Sequence, residues 1–194
     1  MNFDTVIDRK GTYCTQWDYV KDRFGKDGLL PFTISDMDFQ APKEIIEALI
    51  KRVNHGVFGY SRWNHEDFKN SIEFWYKSRF NYQIDKEWIL YAPSVIYSVA
   101  KFIEMKLGKG DGVLIFTPAY DGFFKVIGDN DRKIISSPLI KNGNNYEVDF
   151  EDFEKKCKEA KIFLMCSPHN PVGKVWSREE LEKIISICKK YNIF

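Results

Sequence analysis

An α/β fold with a mainly parallel sheet is the architecture this sequence predicts, on three observations. From residue 88 onward, short apolar runs alternate with helical patterns, the order expected of β-α-β units. One run, Val113-Leu114-Ile115-Phe116, is apolar throughout, as a strand covered on both faces must be. The last helix opens on Ser177-Arg178-Glu179-Glu180, a capping box in which side chain and backbone satisfy each other's free amides.

Taken in order, residues 1–40 are irregular, with glycine at 11, 25 and 28 and proline at 31. Leu29-Leu30-Pro31-Phe32-Thr33-Ile34 leads as a short extended piece into Ser35-Asp36-Met37-Asp38-Phe39. Two acids around a methionine fit a solvated turn, and a functional role needs support from elsewhere. Pro42 suits the first turn of a helix, whose buried stripe is expected at Ile45, Ile46, Leu49, Ile50 and Val53. Gly56-Val57-Phe58-Gly59-Tyr60-Ser61-Arg62-Trp63 interrupts that pattern with two glycines among large aromatics. It reads either as a patch folded onto the chain's own core or as a subunit contact. A second helix is predicted over 66–79, with Phe68, Ile72, Trp75 and Tyr76 on one face.

Residues 88–91 read as a strand, followed by a helix marked by Val95, Ile96, Val99, Phe102, Ile103 and Leu107. Residues 113–116 are the next strand, and Phe123, Phe124 and Ile127 mark the next helix. Ile134-Ile135 and the residues up to 140 make a third strand, 150–160 a charged helix, and 162–165 a further strand. The closing helix carries Leu181, Ile184, Ile185 and Cys188. After it, Tyr191-Asn192-Ile193-Phe194 is an apolar restart that reads as a strand beginning, so a longer polypeptide is expected.

Bulk properties exclude several classes. The 194 residues carry 29 basic and 28 acidic side chains, a net charge of +1, so nucleic acid is not an expected partner. Apolar content of 44% and charged content of 29% are ordinary for a globular protein. The length supports one fair-sized domain burying roughly 70% of its unfolded surface. No apolar run approaches a membrane span and the N-terminus lacks a signal-peptide core, so no membrane association and a cytoplasmic location are expected. Four cysteines and three histidines show no metal-ligand or C-x-x-C spacing; neither a metal site nor a disulfide framework is expected.

The chemistry concentrates where strands end, because open parallel sheets bind ligands beyond their carboxyl edges. The 88–91 run passes through Ala92-Pro93-Ser94-Val95-Ile96 into a helix, whose first free amides and dipole favour a phosphate. Ser94 fits equally the ordinary task of an N-cap. There is no G-x-G-x-x-G, and Gly108-Lys109-Gly110-Asp111-Gly112 lacks the lysine-hydroxyl pair of a P-loop, so it reads as a turn. The 113–116 run ends in Thr117-Pro118-Ala119-Tyr120, which brings an aromatic ring to the same edge, either to lie on a planar ligand or to pack in the core. The 162–165 run ends in Cys166-Ser167-Pro168-His169-Asn170-Pro171-Val172-Gly173-Lys174. Two prolines and a glycine there forbid regular structure and hold Asn170 between them, as an orienting amide or as part of an ordinary loop. Lys174 reads as a surface residue. A phosphate cup, a ring and an amide at neighbouring strand ends describe a site for a flat, phosphorylated, aromatic cofactor.

Gly59-Tyr60-Ser61-Arg62-Trp63, Ala92-Pro93-Ser94-Val95-Ile96-Tyr97, Thr117-Pro118-Ala119-Tyr120-Asp121 and the 166–176 segment together resemble the PLP-dependent aminotransferases of fold type I. More narrowly, and with Ser35-Asp36-Met37-Asp38-Phe39, they resemble the MalY/PatB-type cystathionine β-lyases. The resemblance covers essentially the whole chain. It implies a fold type I PLP-dependent transferase: a three-layer α/β fold, mainly parallel sheet flanked by helices, incomplete in this chain. Residues 1–45 correspond to part of a small domain and a substrate-side loop, and 46–194 to the first part of the large PLP-binding domain. The implied cofactor is pyridoxal 5'-phosphate, with its phosphate at Ser94, Val95 and Ile96, its ring on Tyr120 and its hydroxyl facing Asn170. Tyr60 matches the tyrosine that reaches the phosphate of the neighbouring subunit, which implies a homodimer with shared active sites. Asp36 and Met37 fall near the substrate.

The family's aspartate partner of the pyridine nitrogen, its Schiff-base lysine and its carboxylate-binding arginine are expected beyond Phe194, so no catalytic residue is expected within this chain. The implied activity is a PLP-dependent carbon-sulfur β-lyase converting cystathionine or cysteine conjugates to thiol, pyruvate and ammonia. An aminotransferase would use every residue visible here, and an inactive N-terminal fragment is the third reading.

Overall fold

The computed structural model describes residues 2–194. The chain divides into two compact units, Met1–Arg62 and Trp63–Phe194. No helix among the described residues is long and apolar enough to cross a membrane.

The first unit is mostly irregular chain around two helices, α1 (Val20–Phe24) and α2 (Lys43–His55). Helix α1 was not expected from the sequence; its five residues show no apolar period, and Gly25 ends it at φ 68°. Helix α2 starts after Pro42 and stops at Gly56, φ 73°, as the proline-in, glycine-out asymmetry requires. Its apolar stripe is present but not buried: Ile45, Leu49, Ile50 and Val53 are each more than half exposed. Among the described residues, the irregular segments of this unit supply no helix or strand to lay against that stripe.

The second unit carries the predicted α/β order. Helix α3 (Glu66–Phe80) is capped at its start by the His65 ring. A 3₁₀ turn, Lys86–Trp88, follows, and the strand predicted over 88–91 is absent. The strand-forming pattern there has no ladder partner among the described residues. Instead Lys69 Nζ lies 2.9 Å from Glu87 and Lys86 reaches Glu73 at 3.5 Å, fastening the segment to α3, while Trp63, just before that helix, stacks on Tyr91.

Helix α4 (Val95–Lys106) runs back along β1 (Gly112–Thr117), α5 (Asp121–Gly128) crosses to β2 (Lys133–Pro138), α6 (Phe150–Cys157) returns to β5 (Ile162–Phe163), and α7 (Arg178–Lys190) closes the unit. Between β2 and α6 lies an antiparallel hairpin, β3 (Ile140–Asn142) with β4 (Asn145–Glu147). The third strand expected up to Ile140 thus ends at Pro138, and Ile140 opens the hairpin, whose two-residue turn Gly143-Asn144 has Gly143 at φ 58°, a hairpin turn signal. The three-stranded sheet has the order β2-β1-β5 and is parallel throughout.

Period-two alternation along β1 divides the core. Leu114 and Phe116 face a cluster with Ile135, Phe153, Cys157, Trp176, Ile184 and Ile187; Val113 and Ile115 face one with Ile103, Leu107, Val126 and Ile127. Helices α6 and α7 therefore cover one face and α4 and α5 the other. At full burial each of these side chains contributes about 1.5–3 kcal/mol. The chain thus leaves the carboxyl ends of the neighbouring strands β1 and β5 toward opposite faces, which opens the crevice where such sheets bind ligands. The strand expected at 191–194 is not formed among the described residues, although Phe194 N donates to Lys161 O at 3.0 Å and Phe163 N to Phe194 O at 2.8 Å, fixing Phe194 beside the outer edge of β5.

Candidate active site

Two predicted positions, Tyr120 and Asn170, follow the carboxyl ends of β1 and β5, and the third, Ser94, opens helix α4 without the strand expected before it. Helix α4 is joined to β1 by a short turn and packs antiparallel to it, with Ile103 and Leu107 near Val113 and Ile96 in the same cluster as Ala119. Its N-terminus therefore lies level with the end of β1. Ser94 Oγ accepts from Tyr97 N at 3.1 Å, and the Ser94 carbonyl accepts from Ser98 N at 3.2 Å. The N-cap reading of Ser94 is thus correct. The amides of Val95 and Ile96 precede Ser98 N, the first intrahelical donor, and so have no partner within the helix; Val95 is 75% exposed at the helix's positive end.

Tyr120 is the N-cap of α5 and 43% exposed. Its ring stands edge-on to Phe123, centroids 5.6 Å apart at 87°, which leaves a face free. Gly122 makes this possible: a Cβ there would run into the Tyr120 ring, 3.0 Å from its Cζ.

Asn170 sits at the exposed tip of a loop tied at many points. His169 N donates to Lys174 O at 2.7 Å, and Gly173 N to His169 O at 2.7 Å. Trp176 Nε1 donates to Cys166 O at 2.8 Å, joining the loop's two arms. Lys174, expected at the surface, is instead mostly covered: its Nζ pairs with Glu180 at 2.8 Å and lies over the Trp176 ring. That pairing fastens the loop to the capping box of α7, which forms as predicted. The Asn170 amide has no partner among the described residues.

One residue that the sequence reading counted only among scattered histidines organises this edge. His169 is 2% exposed, and its Nε2 lies 2.8 Å from the carbonyl oxygen of Pro118. It thereby links the loop of Asn170 to the loop of Tyr120. The signal available was its place between Pro168 and Asn170; what was missing was a partner 51 residues away.

The first unit holds the other candidates, organised by Arg9. Its guanidinium pairs with Asp36 at 2.6 Å and Asp38 at 2.7 Å, and Trp17 Nε1 donates to Asp38 at 3.0 Å. These bonds, Arg9's first, hold the Asp38 carboxyl below the usual carboxylate range and push Arg9 up. The 35–39 turn is therefore strutted rather than loose, with Met37 73% exposed. Tyr60 is fully exposed.

The donor set in the second unit fits a planar phosphorylated ring: free helix-start amides for an anion, an open aromatic face for the ring, and an unpaired amide for a ring substituent.

The profile of the family described as aminotransferase class I and II matches residues 27–194. Protein MalY of Escherichia coli is 47% identical over 99% of this chain and 50% of its own length. Cystathionine beta-lyase PatB of Bacillus subtilis is 35% identical over 100% of this chain and 50% of its own. Cystalysin from Treponema denticola, a structure containing pyridoxal 5'-phosphate, matches at TM-score 0.91 and 36% identity over 100% of this chain and 50% of that one. The PLP-bound C-S lyase from Staphylococcus hominis matches at TM-score 0.91 and 29% identity over the same shares. The chain spans about half the length of these relatives. Their likeness bears out the expected fold type I architecture. With its profile matched from residue 27 to residue 194, the chain belongs to the class I and II aminotransferase family.

Proposed function

We propose that this chain forms the coenzyme-cradling part of a pyridoxal 5'-phosphate-dependent carbon-sulfur β-lyase, acting on cystathionine or a cysteine conjugate to release a thiol, pyruvate and ammonia. What supports this reading is that the loops of Tyr120 and Asn170 follow β1 and β5 and are joined by His169 and Pro118, while α4, opened by Ser94, packs on the same sheet. The names of cystathionine beta-lyase PatB and the Staphylococcus C-S lyase direct it toward C–S cleavage.

When bound, the coenzyme supplies an electron sink for negative charge at the substrate's Cα. Ser94, Val95 and Ile96 bind its phosphate, the helix dipole adding to direct hydrogen bonds. Tyr120 orients the ring by stacking, and Asn170 fixes its rotation through the ring hydroxyl. Asp36 and Met37 stand on the substrate side, within a small-domain segment, residues 1–45; residues 46–194 begin the large domain. Tyr60 serves the phosphate of the neighbouring subunit in a homodimer, and the cell's cytoplasm, which keeps the four free cysteines reduced, is its compartment. The proton-transferring lysine lies outside these 194 residues.

The test is product analysis. The protein from its source, loaded with pyridoxal phosphate, is incubated with cystathionine without any amino-group acceptor. Pyruvate and a thiol in equal amounts are expected. A keto acid that forms only when an acceptor is added assigns the protein to transamination. No turnover from a species of 22.9 kDa assigns it to the inactive fragment.

A further inference from the structure

His169 has features that loop packing alone does not require. The Pro118 carbonyl can only accept, so the 2.8 Å contact places the imidazole proton on Nε2. The ring is wedged edge-on between Phe116 and Trp176, at centroid distances of 6.3 and 5.4 Å. Its Nδ1 is buried with no hydrogen-bond partner among the described residues. An apolar ring would fill the same slot and remove the unpaired Nδ1, giving up only the bond to the Pro118 carbonyl, so packing does not explain the imidazole. What the imidazole adds is one directed bond between two loops that leave the sheet on opposite faces. One loop ends in Tyr120, two residues past Pro118; the other carries Asn170 immediately after His169.

We propose that His169 is a positioning residue which, through its Nε2–H bond to the Pro118 carbonyl, sets the spacing and tilt of the Asn170 amide relative to the Tyr120 ring. The inference rests on the coenzyme reading given above, and it assigns His169 no contact with the coenzyme or substrate. The crevice between β1 and β5 is spanned by this side chain, so ring orientation is fixed before any ligand arrives.

The experiment compares His169→Phe, which keeps the wedge and removes the donor, with His169→Gln, whose amide restores a donor near the Nε2 position. Three readouts are taken on the full protein: thermal midpoint, pyridoxal phosphate affinity, and the visible circular-dichroism band of the bound coenzyme, which reports its orientation. His169→Phe is expected to melt with the wild type, to bind the coenzyme about tenfold more weakly and to show an altered band. His169→Gln is expected to recover both affinity and band. Unchanged affinity and band in His169→Phe overturn the inference. So does a loss of affinity that only follows a lowered thermal midpoint in both variants, because that is a packing role. A wild-type protein that takes up no pyridoxal phosphate overturns the coenzyme reading itself, and the inference with it.

Discussion

Arg9 and Asp38 are 29 residues apart in sequence, yet their contact decides how the 35–39 turn is held. Asp38 accepts from both Arg9 and the Trp17 indole, so its carboxylate form is favoured and its pKa lies below the ordinary value of about 3.9. The sign follows from linkage. A depressed folded pKa gives stabilisation that is complete above the unfolded value and disappears as pH falls through the folded one. Acidification of the folded protein, followed on the Trp17 indole N–H resonance, should therefore show its midpoint below about pH 3.9. Arg9→Met should raise that midpoint toward the ordinary value; the same midpoint in both proteins would show that Arg9 does not govern the turn. At this scale sequence reading reached what is local. Ser94 as a cap follows from the residue type and the helix beginning after it. Arg9 with Asp38, and His169 with Pro118, are bonds across long separations, and no spacing rule announces them.

Among elements, β1 was legible because its burial is written in its own residues, and α7 because its capping box is contiguous. The 88–91 strand was not, since a strand exists only with a neighbour and Trp88, Leu90 and Tyr91 are largely exposed. The β3–β4 hairpin was missed because its arms are three residues each, too short for alternation to register. The start of β1 makes a sharp prediction about close packing. A Cβ on Gly112 would lie 2.6 Å from the Glu159 carbonyl oxygen, a backbone atom that cannot turn aside. Gly112→Ala should destabilise by about 1–3 kcal/mol. Each kcal/mol lowers the thermal midpoint by about 2–4 °C in a domain of this size. Gly128→Ala is the control, because a Cβ there meets nothing within 4 Å and its backbone is not left-handed. That variant should melt at or above the wild-type temperature, and equal losses in both would dissociate the effect from the Glu159 contact.

At the scale of the molecule, the α/β order and the parallel sheet follow from the apolar periods, whereas the covering of α2 does not. Its stripe, with Val57, Phe58 and Tyr60 beyond it, stays exposed, although it carries the pattern of a buried face. The homodimer with shared sites proposed above would cover that surface, and it makes a prediction that burial within one chain cannot. If Tyr60 completes the coenzyme site of its partner, Tyr60→Ala and Tyr120→Ala should each weaken coenzyme binding without unfolding the protein. For Tyr120 the loss is about 0.5–1.5 kcal/mol, or roughly 2- to 13-fold. The two variants should then complement each other on mixing. In a mixed dimer, the site in the Tyr60→Ala chain keeps its own Tyr120 and receives an intact Tyr60 from the other chain; the second site is doubly defective. Random exchange in an equimolar mixture makes half the dimers mixed, so about a quarter of all sites should regain wild-type affinity under closed two-fold symmetry. If Tyr60 serves its own chain instead, every site lacks one tyrosine or the other, and a titration of the mixture will contain no wild-type component.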